Sequence, residues 1–335
     1  MQARRFLYLL LREAGIGLAL VVLCIIFSIA APRFASIENV SNILTQISIN
    51  TVISVGMTFV ILLGGIDLSV GSVLALATVV AGLILTNQAL PVPLAIVLAI
   101  MAAVSVGAIC GLFNGFVSEH WKIPSFVVTL GMLNIARGAA LQVSNSRTIF
   151  SFPAGFNHFG TTGVGLFPSI FLIALGLVLI GRFILNQTVF GRMIYAIGNN
   201  EEAVRLSGHN TSVFKISAFT LCGITVGVAA IMYMLRLNIA SPILGVGFEL
   251  KAIAAVVIGG TSMSGGKGSM VGTFLGACII GVLDNGLLLI GLGDFSRQMV
   301  TGAIIILAVI IDTYRIKASQ QSVRQGAAAQ PKIAG

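Results

Sequence analysis

Two carboxylates stand in strongly apolar stretches of the sequence and are the first candidates for chemistry. Asp67 lies in GGIDLSVGS, residues 64–72, and Asp284 lies in VLDNGLLL, residues 282–289. A carboxylate at the centre of a bilayer costs about 2.5–3.5 kcal/mol, so such groups are candidates for function. Asp67 can contact a substrate or cap the following helix, and capping with packing at a membrane edge is the favoured interpretation.

Asp284 offers a different chemistry, because it precedes Asn285 and lies nearer the middle of an apolar segment. Away from the ends of the predicted spans it has no Lys, Arg or His to pair with, apart from Arg137 in the other half of the chain. A lone carboxylate inside a membrane can carry a proton or a sodium ion. An ion-coupled secondary carrier that uses Asp284 is therefore the alternative function.

The remaining reactive side chains form no pattern typical of an enzyme. No paired carboxylates, Ser/Lys dyad or His cluster occur at helical spacing, so no catalytic and no metal-binding residue is expected. The histidines share no helical face, and the cysteines lie within apolar segments without a CxxC spacing, as small core residues do. These residues are His120, His158, His209, Cys24, Cys110, Cys222 and Cys278.

The stretch GGTSMSGGKG, residues 259–268, resembles a phosphate-binding loop in composition but not in spacing. A Walker A loop requires Gly-x4-Gly-Lys-Ser/Thr. Here Thr261 stands five residues before Gly266, and Gly268 follows the lysine. We therefore expect no cofactor on this chain, and any ATP with its magnesium must bind a partner chain. The glycines instead predict a break between two short helices, with close backbone packing or a water-lined passage.

The stretch GRMIYAIGNNEEAVRLSG, residues 191–208, is charged and helix-prone although the sequence on both sides of it is apolar. Asn200 is a suitable N-cap, two glutamates follow in the first turn, and Gly208 ends the pattern. This predicts a short amphipathic helix with an ion pair between Glu201 and Arg205, four residues apart. Its expected apolar contacts are Ala203, Val204 and Leu206.

Composition places all of these residues in a membrane protein. Of the 335 residues, 57% are hydrophobic and only 9% are charged. A water-soluble protein of this size could not bury so much apolar surface, so lipid is the expected solvent. The net charge of +9 comes without a basic stripe interleaved with aromatic residues, so nucleic acid is not an expected partner.

The apolar stretches predict an all-α polytopic membrane protein with about ten transmembrane helices. The first stretch exceeds the roughly 7–15 residues of a signal-peptide core, so it is expected to be an uncleaved helix. Residues 1–315 form the membrane domain, and residues 316–335 are expected to be a disordered cytoplasmic tail. The expected spans are 14–31, 46–64, 68–87, 92–117, 124–143, 165–185, 213–235, 250–263, 269–290 and 297–313.

The loops between these spans predict the orientation. Lys and Arg are concentrated in the loops on the side of the N-terminus, so the N- and C-termini and residues 186–212 are expected in the cytoplasm. GAICGLFNGFV (107–117) is similar to GACIIGVLDNGLL (276–288), and in this topology the two segments cross in opposite directions. Inverted repeats of this kind are typical of transporters. The longest expected external loop is 142–164.

Four ordered stretches resemble the membrane-spanning permease subunit of bacterial ATP-binding-cassette (ABC) importers for simple sugars, the ribose-permease type. They are GMTFVILLGGIDLSVGS, GRMIYAIGNNEEAVRLSGHN, GFELKAIAAVVIGGTSMSGGKGSMVGT and VLDNGLLLIGL, spread from residue 56 to residue 292. Two residues depart from the family pattern. Lys251 stands where an acidic residue follows Gly-x-Glu-Leu, and Asp284 stands where the residue before Asn285 is commonly neutral.

The resemblance implies a multi-pass protein of the bacterial inner membrane that passes a ribose-like monosaccharide. Its implied partners are a cytoplasmic ABC ATPase that holds ATP and magnesium, a periplasmic or extracellular sugar-binding protein and a second permease chain, identical or a sister. A short cytoplasmic helix would couple the permease to the ATPase, and residues 199–208 match it most closely. The ATPase hydrolyses ATP, so this chain is expected to have no enzymatic activity of its own.

The sequence thus yields two sets of candidate residues. Those expected to couple to the ATPase are Gly191, Arg192, Gly198, Asn199, Asn200, Glu201, Glu202, Ala203, Arg205, Leu206, Ser207 and Gly208. Those expected along the translocation pathway are Gly65, Asp67, Ser69, Asn114, Asp284 and Asn285.

Overall fold

The computed structural model describes residues 2–307 and 309–310, so the predicted tail 316–335 lies outside the described residues. Its helices are α1 (Gln2–Ala30), α2 (Ile37–Leu62), α3 (Val70–Leu85), α4 (Val92–His120), α5 (Ser125–Val143), α6 (Ala154–Thr161), α7 (Ser169–Gln187), α8 (Val189–Asn199), α9 (Glu201–Leu206), α10 (Thr211–Leu237), α11 (Phe248–Ile258) and α12 (Met270–Leu289). Residues 294–307 are also helical. Two-residue strands β1 (Ile149–Phe150) and β4 (Ile239–Ala240) pair antiparallel, as do β2 (Gly163–Val164) and β3 (Phe167–Pro168).

The architecture is that of a multi-pass membrane protein, as the composition predicts. Among the described residues, seven helices are long and apolar enough to cross a membrane, namely residues 13–30 of α1 and all of α2, α4, α5, α7, α10 and α12. At 1.5 Å per residue, α3 with 16 residues and α11 with 11 do not reach across about 30 Å of hydrocarbon. The count of ten spans and the inverted repeats stay predictions.

Burial separates central helices from peripheral ones. The apolar window of α2 is 78% buried and that of α10 is 72% buried, whereas α4 is 28% buried and α5 is 22% buried. Because lipid is as apolar as the side chains, helices at the periphery can leave large residues such as Phe113 and Ile135 exposed. The core of the molecule therefore lies around α2, α10 and α12.

Two helix boundaries differ from the prediction for local reasons. α2 begins at Ile37, nine residues before the expected span 46–64, because Ser36 caps it by accepting the backbone N–H of Asn39. α11 stops at Ile258, before the expected end at residue 263, because Gly259 and Gly260 follow it and Gly260 has φ of +82°. An apolar pattern does not record caps or positive φ angles, so hydropathy misplaced both ends.

Glycines bring α4 and α10 into backbone contact. A Cβ added at Gly107 would lie 2.0 Å from the carbonyl oxygen of Gly223, and one added at Gly111 would lie 2.2 Å from that of Phe219. Small residues at helix interfaces allow this approach, which gains van der Waals contact without a hydrophobic driving force in lipid. The first predicted repeat segment, 107–117, is thus a packing surface of α4.

The contacts sort the helix termini into two ends of the bundle. At one end, which we call the inner end, the C-termini of α2 and α4 meet the N-terminus of α10 and the loop between α11 and α12. At the opposite, outer end, the N-terminus of α2 meets the C-terminus of α12, and β1 pairs with β4. This grouping agrees with the loop sets predicted from Lys and Arg, and which set faces the cytoplasm stays a prediction.

We predict that Gly107→Ala lowers the stability of the protein by about 1–3 kcal/mol, because the added methyl group overpacks the α4–α10 contact. Alanine is otherwise the better helix former by about 1 kcal/mol, so the sign of the effect reports the backbone contact. Equilibrium unfolding in detergent micelles measures it. Gly176→Ala on α7 is the matched control, since a Cβ there meets nothing within 4 Å. Equal stability of the two variants would contradict the packing role.

Candidate functional site

A bend between α7 and α8 turns the chain from the bundle onto its inner end. Thr188 caps α8, and its hydroxyl oxygen accepts the backbone N–H of Gly191 at 3.2 Å. A Cβ on Gly191 would lie 2.2 Å from the carbonyl oxygen of Leu185. The predicted importance of Gly191 therefore has a steric basis, because a larger residue would push α8 away from α7.

The short helix predicted within residues 199–208 is confirmed as α9. The side chain of Asn200 accepts the backbone N–H of Ala203 at 3.0 Å, which makes it the N-cap. Gly208 ends the helix with φ of +85° and donates its N–H to the carbonyl of Arg205 at 3.0 Å. Both signals were read correctly because caps depend on residue type more than on tertiary contacts.

Two predicted details of α9 are wrong. Arg205 pairs with Glu202 at 2.7 Å rather than with Glu201, because Glu201 is engaged by α10. A hydrogen bond from the Arg205 guanidinium to Glu202 also raises the pKa of Arg205. Of the three expected apolar contacts, Leu206 is 79% exposed and Ala203 is exposed too, whereas Val204 is half-buried. Leu206 and Ala203 therefore face away from the bundle.

Glu201 anchors α9 to the bundle through a network of charges. Its carboxylate accepts from Lys215 of α10 at 2.6 Å and from the Thr211 hydroxyl at 3.1 Å. Lys215 also contacts Glu119 at the end of α4 at 3.0 Å, and Glu119 accepts from Ser212 at 3.0 Å. Displacement of α9 would thus pull on both α10 and α4. Sequence reasoning missed Lys215 and Glu119, whose only sequence signal is a charge at the end of an apolar span.

α8 packs against the end of α2 and against the Gly-rich loop between α11 and α12. A Cβ on Gly198 would lie 1.9 Å from the carbonyl oxygen of Leu62 at the end of α2. The same carbonyl accepts the N–H of Gly266 at 2.8 Å, and Asn199 donates to the carbonyl of Gly266 at 3.1 Å. Tyr195, which sequence reasoning also missed, donates its hydroxyl to the carbonyl of Gly268 at 3.0 Å. The Gly-rich stretch is therefore a close backbone contact, one of its two predicted roles.

Three of the predicted pathway residues meet in one buried network. The Ser69 hydroxyl donates to Asp67 at 2.6 Å, the Ser69 N–H donates to the same oxygen at 2.9 Å, and Asn114 donates to the Ser69 hydroxyl at 3.0 Å. All three residues are buried. Asp67 does not cap α3 as predicted, because Ser69 occupies the N-cap position and the Asp67 carboxylate accepts the Ser69 N–H in the turn before it. The network packs α3 against α4, and the pathway role of these residues stays a prediction.

Asp284 is not the lone carboxylate that the sequence predicts. It forms an ion pair with Lys251 of α11, which sequence counting placed outside the membrane. Its neighbour Asn285 exchanges two hydrogen bonds with Asn39 of α2, at 2.9 and 3.0 Å. The error arose because hydropathy does not show that the start of α11 lies beside α12. The two departures from the family pattern are therefore partners of each other.

Two polar cavities open at opposite ends of the bundle. The inner cavity, about 360 Å³, includes Gly65, Glu119, Lys122, Glu201 and Lys215 in its wall, so it lies beside the anchor of α9. The outer cavity, about 270 Å³, lies between α2, α10, α11 and α12. Of the predicted pathway residues, Gly65 lines the inner cavity and Asp284 lines the outer one. A pathway role for these residues stays a prediction.

The bundle of long apolar helices, with an exposed helix docked on its inner end, defines a multi-pass membrane protein with a surface suited to a partner. Residues 39–309 match the family described as branched-chain amino acid transport system / permease component. The chain belongs to this permease family. No solved structure matches the chain.

Curated relatives extend over nearly the whole chain. The ribose import permease protein RbsC of Escherichia coli (strain K12) is 41% identical over 300 residues, 88% of this chain and 92% of the relative. The galactose/methyl galactoside import permease protein MglC of the same strain is 35% identical, over 91% of this chain and 95% of the relative. The L-arabinose ABC transporter permease protein AraH of Azospirillum brasilense is 34% identical, over 94% of this chain and 91% of the relative.

We predict that Glu119 and Lys215 have a coupling free energy of about 1–3 kcal/mol in a double-mutant cycle, because the pair is half-buried and hydrogen-bonded. The variants are Glu119→Gln, Lys215→Met and the double variant, unfolded at equilibrium in mixed micelles. Lys122, whose side chain is 69% exposed while it contacts the same carboxylate, is the matched control and should couple by less than about 1 kcal/mol. Equal coupling for both lysines would contradict the anchoring role of Lys215.

Proposed function

We propose that this chain is the permease subunit of an ABC importer for a simple sugar, a ribose-like monosaccharide, in the bacterial inner membrane. The observation that carries the proposal is α9, a capped helix whose anchor Glu201 faces the bundle while Leu206 faces outward. The relatives support the substrate class, since their names specify ribose, galactose and arabinose.

The exposed side of α9 is the proposed contact for a cytoplasmic ATPase. Glu202 and Arg205 neutralise each other beside Leu206, so the surface offers an apolar side chain next to a charge pair. Apolar anchors that fill a pocket carry most of the binding energy in interfaces of this kind. The ATPase supplies ATP and magnesium, and this chain supplies the surface that the ATPase moves.

Movement would reach the bundle by two routes. One runs from α9 through Glu201 and Lys215 to α10 and α4. The other runs from α8 through Gly198 and Asn199 to the end of α2 and the loop before α12. Both routes join α8 and α9 to central helices, so closure of the ATPase would shift rigid helices and alternate the access of the pathway.

Two further partners complete the proposed importer. A periplasmic or extracellular sugar-binding protein would dock at the outer end, where β1, α6, β2 and β3 form a structured loop between α5 and α7. A second permease chain, identical or a sister, would pack against an exposed apolar side of the peripheral helices.

The alternative, an ion-coupled carrier that uses Asp284, is less well supported. Such a carrier needs a carboxylate that exchanges a proton or sodium ion in each cycle. Asp284 is already paired with Lys251, so an entering ion would have to compete with a cation fixed on α11.

We predict that Leu206→Asp weakens association with the cognate ATPase by tenfold or more and lowers ATP-dependent sugar uptake to a similar extent, because it places a charge in an apolar contact. Co-purification and uptake into proteoliposomes of the assembled importer measure the two effects. Val164→Asp is the matched control for ATPase association only, since Val164 is 72% exposed on β2 at the outer end, away from α9.

Two outcomes would count against the proposal. Normal association and uptake of the Leu206→Asp variant would show that α9 is not the ATPase contact. Uptake driven by a proton or sodium gradient in liposomes that hold this chain alone would favour the ion-coupled carrier instead.

A further inference from the structure

The wall of the outer cavity includes polar side chains that were not among the predicted pathway residues, beside Asp284, which was. Its polar lining comes from four helices: Gln46 and Asn50 of α2, Arg236 of α10, Lys251 of α11 and Asp284 of α12. Because these helices include the most buried ones in the bundle, the cavity lies within one chain and near its core. We propose that the outer cavity is a binding site for a neutral monosaccharide within the permease itself. This inference rests on the proposed importer function.

The ion pair in the wall keeps hydrogen-bonding capacity for a ligand. A lysine ammonium has three donors and a carboxylate has about four acceptor positions, and the Lys251–Asp284 contact uses one of each. The backbone carbonyl of Asp284 accepts from Arg297 at 3.4 Å, which leaves the carboxylate group for the cavity. Since each sugar hydroxyl both donates and accepts, a donor beside an acceptor suits it.

Asn50 supplies a second group of the same kind. Both polar atoms of its amide are covered from solvent, and neither has a hydrogen-bond partner among the described residues. A covered, unpaired amide is costly, so its place in the wall of a polar cavity calls for a partner that the bundle does not supply. A rotation of the side chain toward a hydroxyl would satisfy the amide donor and the amide acceptor together.

Aromatic rings complete the wall. Tyr233 and Phe248 both line the cavity, with their ring centroids 5.9 Å apart and their planes at 56°. A sugar ring has apolar C–H faces between its hydroxyl edges, and aromatic surfaces in binding sites cover such faces. Polar groups on α2, α11 and α12 together with rings on α10 and α11 therefore match an amphipathic ligand.

The charges favour a neutral ligand over an anionic one. Lys251 and Asp284 cancel each other, and a carboxylate on the ligand would be repelled by Asp284. Arg236 adds a positive charge at the edge of the cavity, so the preference for a neutral ligand rests on the carboxylate of Asp284 within the wall. The volume of about 270 Å³ suits a single small ring rather than a larger oligosaccharide.

The first experiment measures binding without transport. Gln46→Cys is introduced into the assembled importer without ATP and labelled with a maleimide, and the labelling of the parent chain is subtracted. Millimolar d-ribose, l-arabinose or d-galactose should slow labelling threefold or more for at least one sugar. No protection by any of them would overturn the proposal, and protection by d-galacturonate alone would overturn the assignment to a neutral sugar.

The second experiment tests Asn50 in transport. Asn50→Leu should lower the rate of ATP-dependent uptake of the protecting sugar by tenfold or more, with co-purification of the ATPase unchanged. Thr51→Val is the matched control, since Thr51 is the adjacent buried residue with an unpaired hydroxyl but does not line the cavity. Equal uptake by the two variants would overturn the role of Asn50.

The two experiments separate this inference from the proposed function. Loss of ATP-dependent uptake in the parent importer would contradict the proposed function, whereas normal parent uptake without cysteine protection would contradict only the cavity. Because labelling requires no transport, it decides the proposal even if the Asn50→Leu variant fails to assemble.

Discussion

The rest of the bundle depends on one hydrogen bond, in which the carbonyl of Leu62 accepts the N–H of Gly266. This bond joins the loop after α2 to the loop after α11. A bilayer offers no water to a broken helix, so backbone groups at a break must find partners within the protein. The breaks after α2 and after α11 do so by turning through Gly64 and Gly260, both at positive φ, and by meeting each other. Their contact also creates the surface that receives Gly198 of α8.

Placement of α8 and α9 on this contact links a surface helix to the most buried helices. Gly198 allows α8 to contact the backbone of α2 directly, since the carbonyl oxygen of Leu62 lies where a side chain at Gly198 would stand. The ion pair between Glu201 and Lys215 joins α9 to the central helix α10 rather than to a peripheral helix. A partner that moved α9 would therefore act on the core of the bundle, as the proposed coupling to an ATPase requires.

Polar residues inside the bundle divide into two kinds. Asp67, Ser69 and Asn114 are hydrogen-bonded in one chain and closed to solvent, so they hold α3 against α4. Asn50 and the Lys251–Asp284 pair line a cavity and retain unused hydrogen-bonding capacity. Sequence alone identified Asp67 and Asp284 as carboxylates in apolar stretches, and only the structure places one in a closed network and the other in the wall of a cavity.

Composition and residue type by themselves determined the membrane class, most helix positions, the Asn200 cap and the Gly208 stop. These follow from local rules, in which the residue and its near neighbours decide the energy. The partners of Glu201, Asp284 and Gly198 come from residues 14, 33 and more than 60 positions away. Only the tertiary structure decided them, because pairing across a bundle depends on how helices pack, and hydropathy contains no information about which helices are neighbours.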